Sequence, residues 1–334
     1  MHNGKFCEKK WDVLCDTLKL YDIPKITEIR LESTNRCGYN CFMCPRKKMT
    51  RPIGTMSIGN LNYVLDCFNE IKYELSLHMH GFGETLLLDD LPQRIELIKT
   101  NKPNFAPLIF TTLGYERDEK WIESLFASGL ETIVVSCYGY DRETYKNVHG
   151  VDRYDLVKNN IEYVASLKNK YGFNVIIAID NFGEHYPSMS DSQNLLMLRS
   201  EFWKLMNDLG MHNKFDQSLH TFGGEQIGSN TSSRTLPCSV CWGKRRGHIS
   251  ISWDLRISPC AYDYDCSVIW GNLKVDSLDK IFASSTRMNF IKSHFEGIEV
   301  EKHPICSKNS CFPEEKGYES EFKIVKDFME DYHG

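Results

Sequence analysis

Three cysteines near the start of the chain have the type and spacing of a metal centre. The segment Cys37-Gly-Tyr-Asn-Cys41-Phe-Met-Cys44 follows the first β-rich run. Cysteine thiolates bind iron–sulfur clusters, and a 4Fe-4S cluster held entirely by protein takes four of them. Three thiolates therefore leave one iron open for a substrate or cofactor. A structural zinc would need a fourth ligand, but no Cys or His occurs in the next twenty residues.

A second group of cysteines lies in the last third of the chain. Its members are Cys238, Cys241, Cys260, Cys266, Cys306 and Cys311. Cys238-x2-Cys241 and Cys306-x4-Cys311 could supply four thiolates to a zinc ion, so zinc is an alternative for this half. The N-terminal group favours an iron–sulfur cluster here as well.

Length and composition favour a reducing compartment. The chain has 334 residues and 13 cysteines, and its first residues carry no apolar signal sequence. A chain of this length does not need disulfides, so the cysteines indicate metal binding or catalysis in a cytoplasmic protein. The net charge of −5 argues against binding to nucleic acid or to anionic membranes. The sequence contains no apolar run long enough to predict a membrane span.

The hydrophobic pattern predicts an α/β fold. Short β-rich runs alternate with longer amphipathic ones between residue 26 and about residue 220, which is typical of a parallel sheet. The predicted strands are residues 26–33, 74–81, 107–112, 131–138, 174–180 and 213–220. The predicted crossover helices are residues 58–73, 91–100, 119–128, 153–170 and 191–209. Six βα units are too few for an eight-stranded barrel, so we expect a partial (β/α)6 TIM-type barrel with active residues at the carboxyl ends of its strands.

Alternation along the first two predicted strands places polar side chains on one face. The polar positions are Arg30, Glu32, Ser76, His78 and His80, and apolar residues occupy the positions between them. An inner face of this kind predicts a lined cavity. Mutual hydrogen bonding at the barrel rim is the alternative.

The composition of the sequence changes after residue 220. A stretch rich in Gly, Ser, Thr and Asn predicts a linker. A predicted hairpin (248–252 and 256–259), two short helices (277–283 and 286–295) and an amphipathic tail (318–332) follow. We therefore expect an N-terminal extension (1–25), the barrel (26–220), a linker (221–236), a small α+β cysteine-rich domain (237–315) and a C-terminal helix (316–334).

The cysteine loop after the first strand of an α/β barrel resembles the radical S-adenosylmethionine (radical SAM) superfamily. The flanking segments Leu31-Glu-Ser-Thr-Asn-Arg-Cys37 and Cys44-Pro-Arg strengthen the resemblance. It implies a catalytic 4Fe-4S cluster on Cys37, Cys41 and Cys44, with S-adenosylmethionine on the open iron and Met43 among the cofactor contacts. It further implies reductive cleavage of S-adenosylmethionine to a 5'-deoxyadenosyl radical, which abstracts hydrogen from a substrate.

Further motifs follow in the family's order, with departures. His80-Gly81-Phe82-Gly83-Glu84-Thr85 resembles the Gly-Gly-Glu-Pro element, which implies that Gly81, Gly83 and Glu84 contact the methionine amino group. Thr112-Leu113-Gly114 stands where Thr-Asn-Gly is usual, and Ser136-Cys137-Tyr138-Gly139 stands where Ser-Leu-Asp-Gly is common. Thr112 and Ser136 are the implied cofactor contacts there. We expect Cys137 to be a buried core cysteine; a catalytic thiol is the alternative.

The C-terminal cysteines resemble the SPASM/twitch extension of the superfamily, together with Ser258-Pro259-Cys260 and Gly271-Asn272-Leu273. The resemblance implies an auxiliary 4Fe-4S cluster on Cys238, Cys260, Cys306 and Cys311. Cys241 and Cys266 are surplus to one cluster, so they could replace a ligand, help to hold a second cluster or donate hydrogen atoms. The cysteines expected to be unligated are Cys7, Cys15, Cys67 and Cys137.

The resemblance implies a radical SAM oxidoreductase or epimerase that receives electrons from a flavodoxin or ferredoxin. About 25 residues precede the first predicted strand, too few for the leader-binding domain of many peptide-modifying relatives. We therefore expect a small polar substrate such as a sugar or aminocyclitol, with a peptide-modifying maturase as the alternative. A non-catalytic metal-stabilised binding or electron-transfer protein is the third hypothesis. The candidate catalytic residues are Arg30, Glu32, His78, His80, Tyr138, Cys241 and Cys266.

Overall fold

The computed structural model describes residues 8–180, 192–211, 214–217, 236–298, 302–306 and 318–333. In this part of the chain one mixed sheet forms the centre of the fold. Its strands are β1 Glu28–Leu31, β2 Leu75–His78, β3 Phe105–Thr111, β4 Thr132–Ser136, β5 Asn174–Asp180, β6 Lys214–Gln217, β7 His248–Ile251, β8 Arg256–Ser258 and β9 Gly271–Asn272. Their order in the sheet is β6-β5-β4-β3-β2-β1-β7-β8-β9.

The strands β1 to β6 form the partial barrel that the sequence predicts. Each of them pairs in parallel with the next one along the chain. The sheet stays open because β6 lies at one edge, while the other side of β1 pairs with β7. The polar and apolar faces of β2 also follow the prediction: Leu75 and Leu77 are buried, and Ser76 and His78 are partly exposed. The predicted sixth strand extends beyond the described residues at both ends. Almost all of the predicted linker lies outside the described residues.

Helices connect and cover these strands. They are α1 Glu8–Thr17, α2 Ile58–Cys67, α3 Leu91–Asn101, α4 Glu119–Ala127, α5 Arg142–His149, α6 Tyr154–Tyr171, α7 Ser192–Asp208, α8 Ser239–Trp242, α9 Leu278–Phe282, α10 Ser285–Glu296 and α11 Glu319–His333. None of the described helices is long and apolar enough to cross a membrane. The prediction for α2 was wrong at its C-terminal end, since the helix stops at Cys67 and the chain turns back through Phe68 to bury Ile71.

The strand β7 joins the C-terminal part of the chain to the barrel. It lies parallel to β1, with Ile249 opposite Ile29 and Ile251 opposite Leu31. All four of these side chains are buried. The antiparallel β7–β8 hairpin and β9 then extend the same sheet. The sequence predicts the hairpin but carries no signal for its pairing with β1, so the continuity of the sheet is a finding of the structure.

Two arginines from the C-terminal part of the chain bind the turn that follows α1. Arg246 donates hydrogen bonds to the carbonyl oxygens of Leu18 and Lys19 at 2.7 and 2.9 Å. The fully buried Arg287 donates to Leu20 O at 2.6 Å, and its guanidinium lies 5.2 Å from the centre of the Trp270 ring. Carbonyls beyond a helix end need such partners when they are buried. The N-terminal helix is therefore held by the region around α10.

Replacement of Arg287 should destabilise the fold. We expect Arg287→Ala to lower the free energy of unfolding by about 3 kcal/mol, because buried carbonyl oxygens lose their donor. Lys280→Ala, at an exposed position of α9, is the matched control and should change it by less than about 0.5 kcal/mol. Urea unfolding followed by tryptophan fluorescence measures both. Equal stabilities of the two variants would contradict this account of α1.

Candidate active site

The three N-terminal cysteines lie in the loop that follows β1, and all three are partly buried. Burial raises the pKa of Cys37 to about 11 and also raises the pKa values of Cys41 and Cys44. The Cys44 and Cys37 thiols raise the pKa of Cys41 further. Metal binding would reverse these shifts, because a coordinating thiol is deprotonated.

The three thiols of this loop are a donor set that fits an iron–sulfur cluster. No disulfide involves the cysteines of the described ranges. Across the same ranges, no three His, Cys, Asp or Glu side chains converge closely enough to hold one ion. In a 4Fe-4S cluster each thiolate would bind a different iron. Three thiols in one loop would therefore supply three of its four ligands.

The end of α5 holds the middle of this loop. The backbone N–H of Asn40 donates to His149 O, and that of Phe42 donates to Val148 O, both at 3.1 Å. Met43 packs against Val148 in the same place. The sequence reasoning missed α5, although Asp141 and Thr144 form a capping box and Gly150 ends the helix at a φ of 69°. Those capping residues were the signal that could have found it.

The two glycines after β2 permit close backbone approach. A Cβ at Gly83 would lie 2.3 Å from Thr34 O and 2.8 Å from Arg36 O, in the segment that leads to Cys37. A Cβ at Gly81 would lie 2.5 Å from the Glu32 side chain. Only glycine avoids these collisions. The Gly81–Gly83 loop is therefore packed directly against the start of the cysteine loop.

Glu84 joins this loop to the end of β3. Its buried carboxylate accepts hydrogen bonds from Thr111 Oγ1 at 2.6 Å and from both the N–H and the hydroxyl of Thr112 at 2.9 Å. Burial raises the pKa of Glu84, and these hydrogen bonds oppose that shift. The next residue, Leu113, has a φ of 54°, a conformation that Asn adopts more readily than Leu. Thr112 and Glu84 therefore act as one unit, and the departure at Leu113 is stabilised by its burial.

The end of β4 carries a further polar pair. Tyr138 Oη donates to Ser136 Oγ at 3.3 Å, so both side chains lie on the same face, as predicted. Cys137 points to the opposite side, where it is buried and its Sγ lies 3.5 Å from Gly139 O. The expectation of a buried Cys137 is thus confirmed. The Tyr138 ring stacks on His149, which ties this pair to α5.

Burial favours the neutral form of two histidines, His78 at the end of β2 and His80 just after it. Burial lowers the pKa of His78 to about 4, and it lowers the pKa of His80 well below the ordinary value. His78 Nε2 lies 2.8 Å from Ser76 Oγ. His80 Nδ1 is buried and has no hydrogen-bond partner among the described residues. A neutral imidazole with an unused nitrogen can accept a proton or a hydrogen bond from a bound molecule.

Glu32, at the end of β1, forms a buried ion pair that sequence reasoning did not foresee. Both of its oxygens accept hydrogen bonds from the Arg51 guanidinium at 2.5 Å. The backbone N–H groups of Phe82 and Trp253 lie within 3.4 Å of the same carboxylate. Arg51 Nε also donates to Tyr264 O at 2.7 Å. These contacts favour a positioning role for Glu32; its proposed part in proton transfer stays a prediction.

A cavity opens beside this ion pair, between the carboxyl ends of β1 and β2 and the segment after β8. Its volume is about 60 Å³. We call it the Cys266 cavity. Its polar lining consists of Arg30, Glu32, Arg51, His80, Ser250, Ser252, Ser258, Cys260, Asp263 and Cys266. Four of the predicted catalytic residues, Arg30, Glu32, His80 and Cys266, therefore share one site.

Cys266 has an unusual backbone conformation at this cavity. Its φ is 50°, a region that side chains other than Gly, Asn and Asp rarely adopt. The neighbouring Asp265 carboxylate accepts hydrogen bonds from the N–H groups of Thr50 and Arg51 at 2.6 and 2.9 Å. Burial raises the pKa of Cys266 to about 11, so the group is a thiol at neutral pH. Contacts from the cysteine loop side thus hold Cys266 in place.

The remaining C-terminal cysteines lie on several elements, and of those that the structure describes only Cys260 lines the Cys266 cavity. Cys238 precedes α8, Cys260 follows β8, and Cys306 ends the turn Pro304–Cys306. Cys241 lies within α8 and is fully buried, and it is not among the residues that line the Cys266 cavity. Cys311, the fourth predicted ligand, lies outside the described residues.

A second and larger groove lies beside Tyr115 and Tyr154. Among its charged residues, Arg142 forms salt bridges with Asp152 and Asp155. The Tyr115 hydroxyl accepts a hydrogen bond from the Gly38 N–H of the cysteine loop at 2.7 Å. Tyr115 therefore links this groove to the cysteine loop.

Family comparisons define the class of protein that this fold and site belong to. Residues 31–187 match the model of the radical SAM superfamily, and residues 238–312 match the SPASM iron–sulfur cluster-binding domain. The chain is a radical SAM superfamily enzyme with a C-terminal SPASM domain. It accordingly uses 4Fe-4S clusters and S-adenosylmethionine.

Among curated proteins, the chain is similar to probable GTP 3',8-cyclases. The protein from Archaeoglobus fulgidus is 31% identical over 137 residues, which cover 41% of this chain and 44% of the relative. The protein from Methanococcus aeolicus is 33% identical over 147 residues, which cover 41% and 46%. The chain thus spans about half the length of the curated relatives it matches.

Among solved structures, the fold is similar to those of BtrN, anSMEcpe and SuiB. BtrN in complex with AdoMet and 2-DOIA has a TM-score of 0.59 at 16% identity, covering 86% of this chain and 94% of BtrN. The enzyme anSMEcpe with bound AdoMet has a TM-score of 0.57 at 14% identity, covering 90% and 96%. Streptococcus suis SuiB has a TM-score of 0.54 at 15% identity, covering 85% and 72%. At these identities the likeness shows the fold alone.

The ion pair at the Cys266 cavity gives a stability prediction. We expect Arg51→Lys to lower the free energy of unfolding by about 2 kcal/mol, because lysine cannot make the two-pronged contact with Glu32 and also reach Tyr264 O. Arg142→Lys is the control, because it alters an exposed ion pair. It should change the free energy of unfolding by less than about 0.5 kcal/mol. Urea unfolding of both variants measures their free energies of unfolding. A loss in Arg51→Lys no larger than in its control would show that the buried pair is not a stabilising contact.

Proposed function

We propose that the enzyme abstracts a hydrogen atom from a small polar substrate bound in the Cys266 cavity, leading to oxidation or epimerisation. The supporting observation is that this cavity brings barrel residues, Arg30 and His80, together with Asp263 and Cys266 of the SPASM domain. The bound cluster and S-adenosylmethionine supply a 5'-deoxyadenosyl radical for the abstraction. The protein contributes the binding, the orientation and the exclusion of water.

The lining of the cavity supports a substrate rich in hydroxyl or amino groups. Arg30 and Asp263 place opposite charges at the lining, and Ser250 adds a hydroxyl group. Arg30 is also paired with Glu28, and Asp263 accepts hydrogen bonds from the backbone N–H groups of Ser267 and Val268. A volume of about 60 Å³ is room for roughly four or five water molecules, which suits part of a small ring better than a peptide segment. BtrN, which shares the fold, is crystallised with 2-DOIA. A sugar or aminocyclitol is therefore the substrate class we propose.

Oxidation would require a group that accepts a proton from the substrate. His80 suits this role because it is neutral and its Nδ1 has no partner among the described residues. An electron released at the same time would pass to an auxiliary cluster, for which we propose the ligands Cys238, Cys260, Cys306 and Cys311. The role of His78 is to orient this face, since it contacts both Ser76 and Glu28.

Epimerisation would instead require a hydrogen-atom donor, and Cys266 is the better of the two candidates. It lines the cavity as a thiol, whereas the fully buried Cys241 does not reach the lining. Cys266 would transfer its sulfur-bound hydrogen atom to the substrate radical, forming the new C–H bond. The sulfur radical left on Cys266 would then take one electron from the external donor and one proton from solvent. We propose a flavodoxin or ferredoxin as that donor.

A peptide substrate is the second candidate. The neighbours anSMEcpe and SuiB are crystallised with the Cp18Cys peptide and with the precursor peptide SuiA, respectively. The curated relatives carry the name probable GTP 3',8-cyclase, which adds a nucleotide to the substrates worth testing. The small cavity favours the metabolite over both.

The cysteine loop can be tested by iron content and cofactor cleavage. We expect a variant with Cys37→Ala, Cys41→Ala and Cys44→Ala to lose about four irons per chain and all formation of 5'-deoxyadenosine after anaerobic reconstitution with dithionite. Cys67→Ala, which removes a cysteine at the end of α2, is the control and should keep both. Cofactor cleavage by the triple variant would sink the assignment of this loop.

Labelled substrates separate oxidation from epimerisation and test Cys266. We would incubate the enzyme in D2O with aminocyclitols, hexoses, GTP and precursor peptides, and measure transfer of substrate hydrogen into 5'-deoxyadenosine. For epimerisation, the wild type should place one solvent deuterium in the product, and Cys266→Ser should lose that deuterium while still forming 5'-deoxyadenosine. Cys241→Ser should behave as the wild type. A deuterated product from Cys266→Ser would exclude Cys266 as the donor.

A further inference from the structure

The strongest unexplained contact in the barrel involves His149 and a cysteine of the cluster loop. His149 is the last residue of α5, and its side chain is fully buried. Its Nδ1 lies 3.3 Å from Cys41 Sγ. No family motif quoted from the sequence includes this histidine. Its burial beside a cluster ligand therefore calls for a physical explanation.

The other ring nitrogen fixes the position of the proton on His149. The backbone N–H of Tyr138 donates a hydrogen bond to His149 Nε2 at 3.2 Å. A backbone N–H is always a donor, so Nε2 must be the unprotonated acceptor of the neutral ring. The proton then resides on Nδ1, which faces Cys41. The contact is consequently an N–H···S hydrogen bond with His149 as the donor.

Packing leaves the imidazole ring no freedom to turn away. The Tyr145 ring stacks on it at a centroid distance of 4.2 Å, and the Tyr138 ring lies almost parallel on it at 5.5 Å. The same end of α5 is hydrogen-bonded to the backbone on both sides of Cys41, at Asn40 and Phe42. The helix end and the loop therefore move as one unit, and the N–H···S geometry is built into the fold.

We propose that His149 positions Cys41 and raises the reduction potential of the cluster held by Cys37, Cys41 and Cys44. A hydrogen bond to a ligand sulfur stabilises negative charge there. The reduced cluster carries one more negative charge than the oxidised one, so the bond favours reduction. This inference rests on the iron–sulfur assignment of the loop, and it does not depend on the substrate.

Two substitutions separate the two hydrogen bonds of the ring. The amide nitrogen of Asn can occupy the place of Nδ1, so His149→Asn keeps a donor toward Cys41. The longer Gln side chain places its amide near Nε2, so His149→Gln keeps a partner for Tyr138 and loses the donor toward Cys41. Both variants remove the aromatic ring, which makes each the packing control of the other.

The decisive measurement is a redox titration of the reconstituted holoenzyme followed by electron paramagnetic resonance. At a fixed applied potential we expect about a tenfold lower ratio of reduced to oxidised cluster in His149→Gln, equivalent to about 59 mV for one electron. His149→Asn should stay close to the wild type, and the auxiliary cluster should be unchanged in both. An unchanged potential in His149→Gln, or the same shift in both variants, would overturn the proposal.

A second readout needs no reduction and checks the bond directly. Exchange of the wild-type enzyme into D2O should shift an Fe–S(Cys) stretching band in the resonance Raman spectrum of the oxidised cluster, and this shift should be lost in His149→Gln. Identical isotope shifts in both proteins would contradict an N–H···S bond from His149. Iron content distinguishes either result from failure of the cluster assignment itself, since a loop without iron would give no such band in any variant.

Discussion

The buried ion pair between Glu32 and Arg51 is the contact on which the arrangement of the active site depends. Glu32 directly follows the first barrel strand, and Arg51 follows the cysteine loop. The same carboxylate faces the backbone of Phe82, in the loop after β2, and of Trp253, in the β7–β8 turn. Removing either charge would leave its partner buried and unpaired, which is costly in a protein interior. One carboxylate therefore connects its own strand end to three other segments around one cavity.

Most of the barrel strands and the cysteine loop could be predicted from sequence, because each depends on a pattern of residues that are close in the chain. These patterns are strand alternation and cysteine spacing. The contacts that complete the site are long-range, and Arg51 is an example: it pairs with Glu32 and reaches Tyr264, 213 residues away. Nothing in the local pattern around Arg51 specifies either partner. The pairing of β7 with β1 was unforeseen for the same reason.

Helix α5 shows a different limit of sequence reasoning. Its capping residues, Asp141, Thr144 and Gly150, are clear start and stop signals. The segment between them is short and polar, so its apolar positions, chiefly Tyr145 and Val148, do not form a long periodic stripe. A search led by hydrophobic periodicity passes over such a helix. The helix that was missed for this reason is the one that places His149 beside the cysteine loop.

The cysteine loop and the residues just after it are held by both the barrel and the SPASM region. On one side, α5 of the barrel binds the backbone at Asn40 and Phe42. On the other side, Asp265 of the SPASM region binds Thr50 and Arg51, just beyond the loop. These contacts are all made by the chain itself, so the loop is positioned before any substrate binds. Because Asp265 adjoins Cys266, the contact that fixes the loop also fixes the thiol at the cavity.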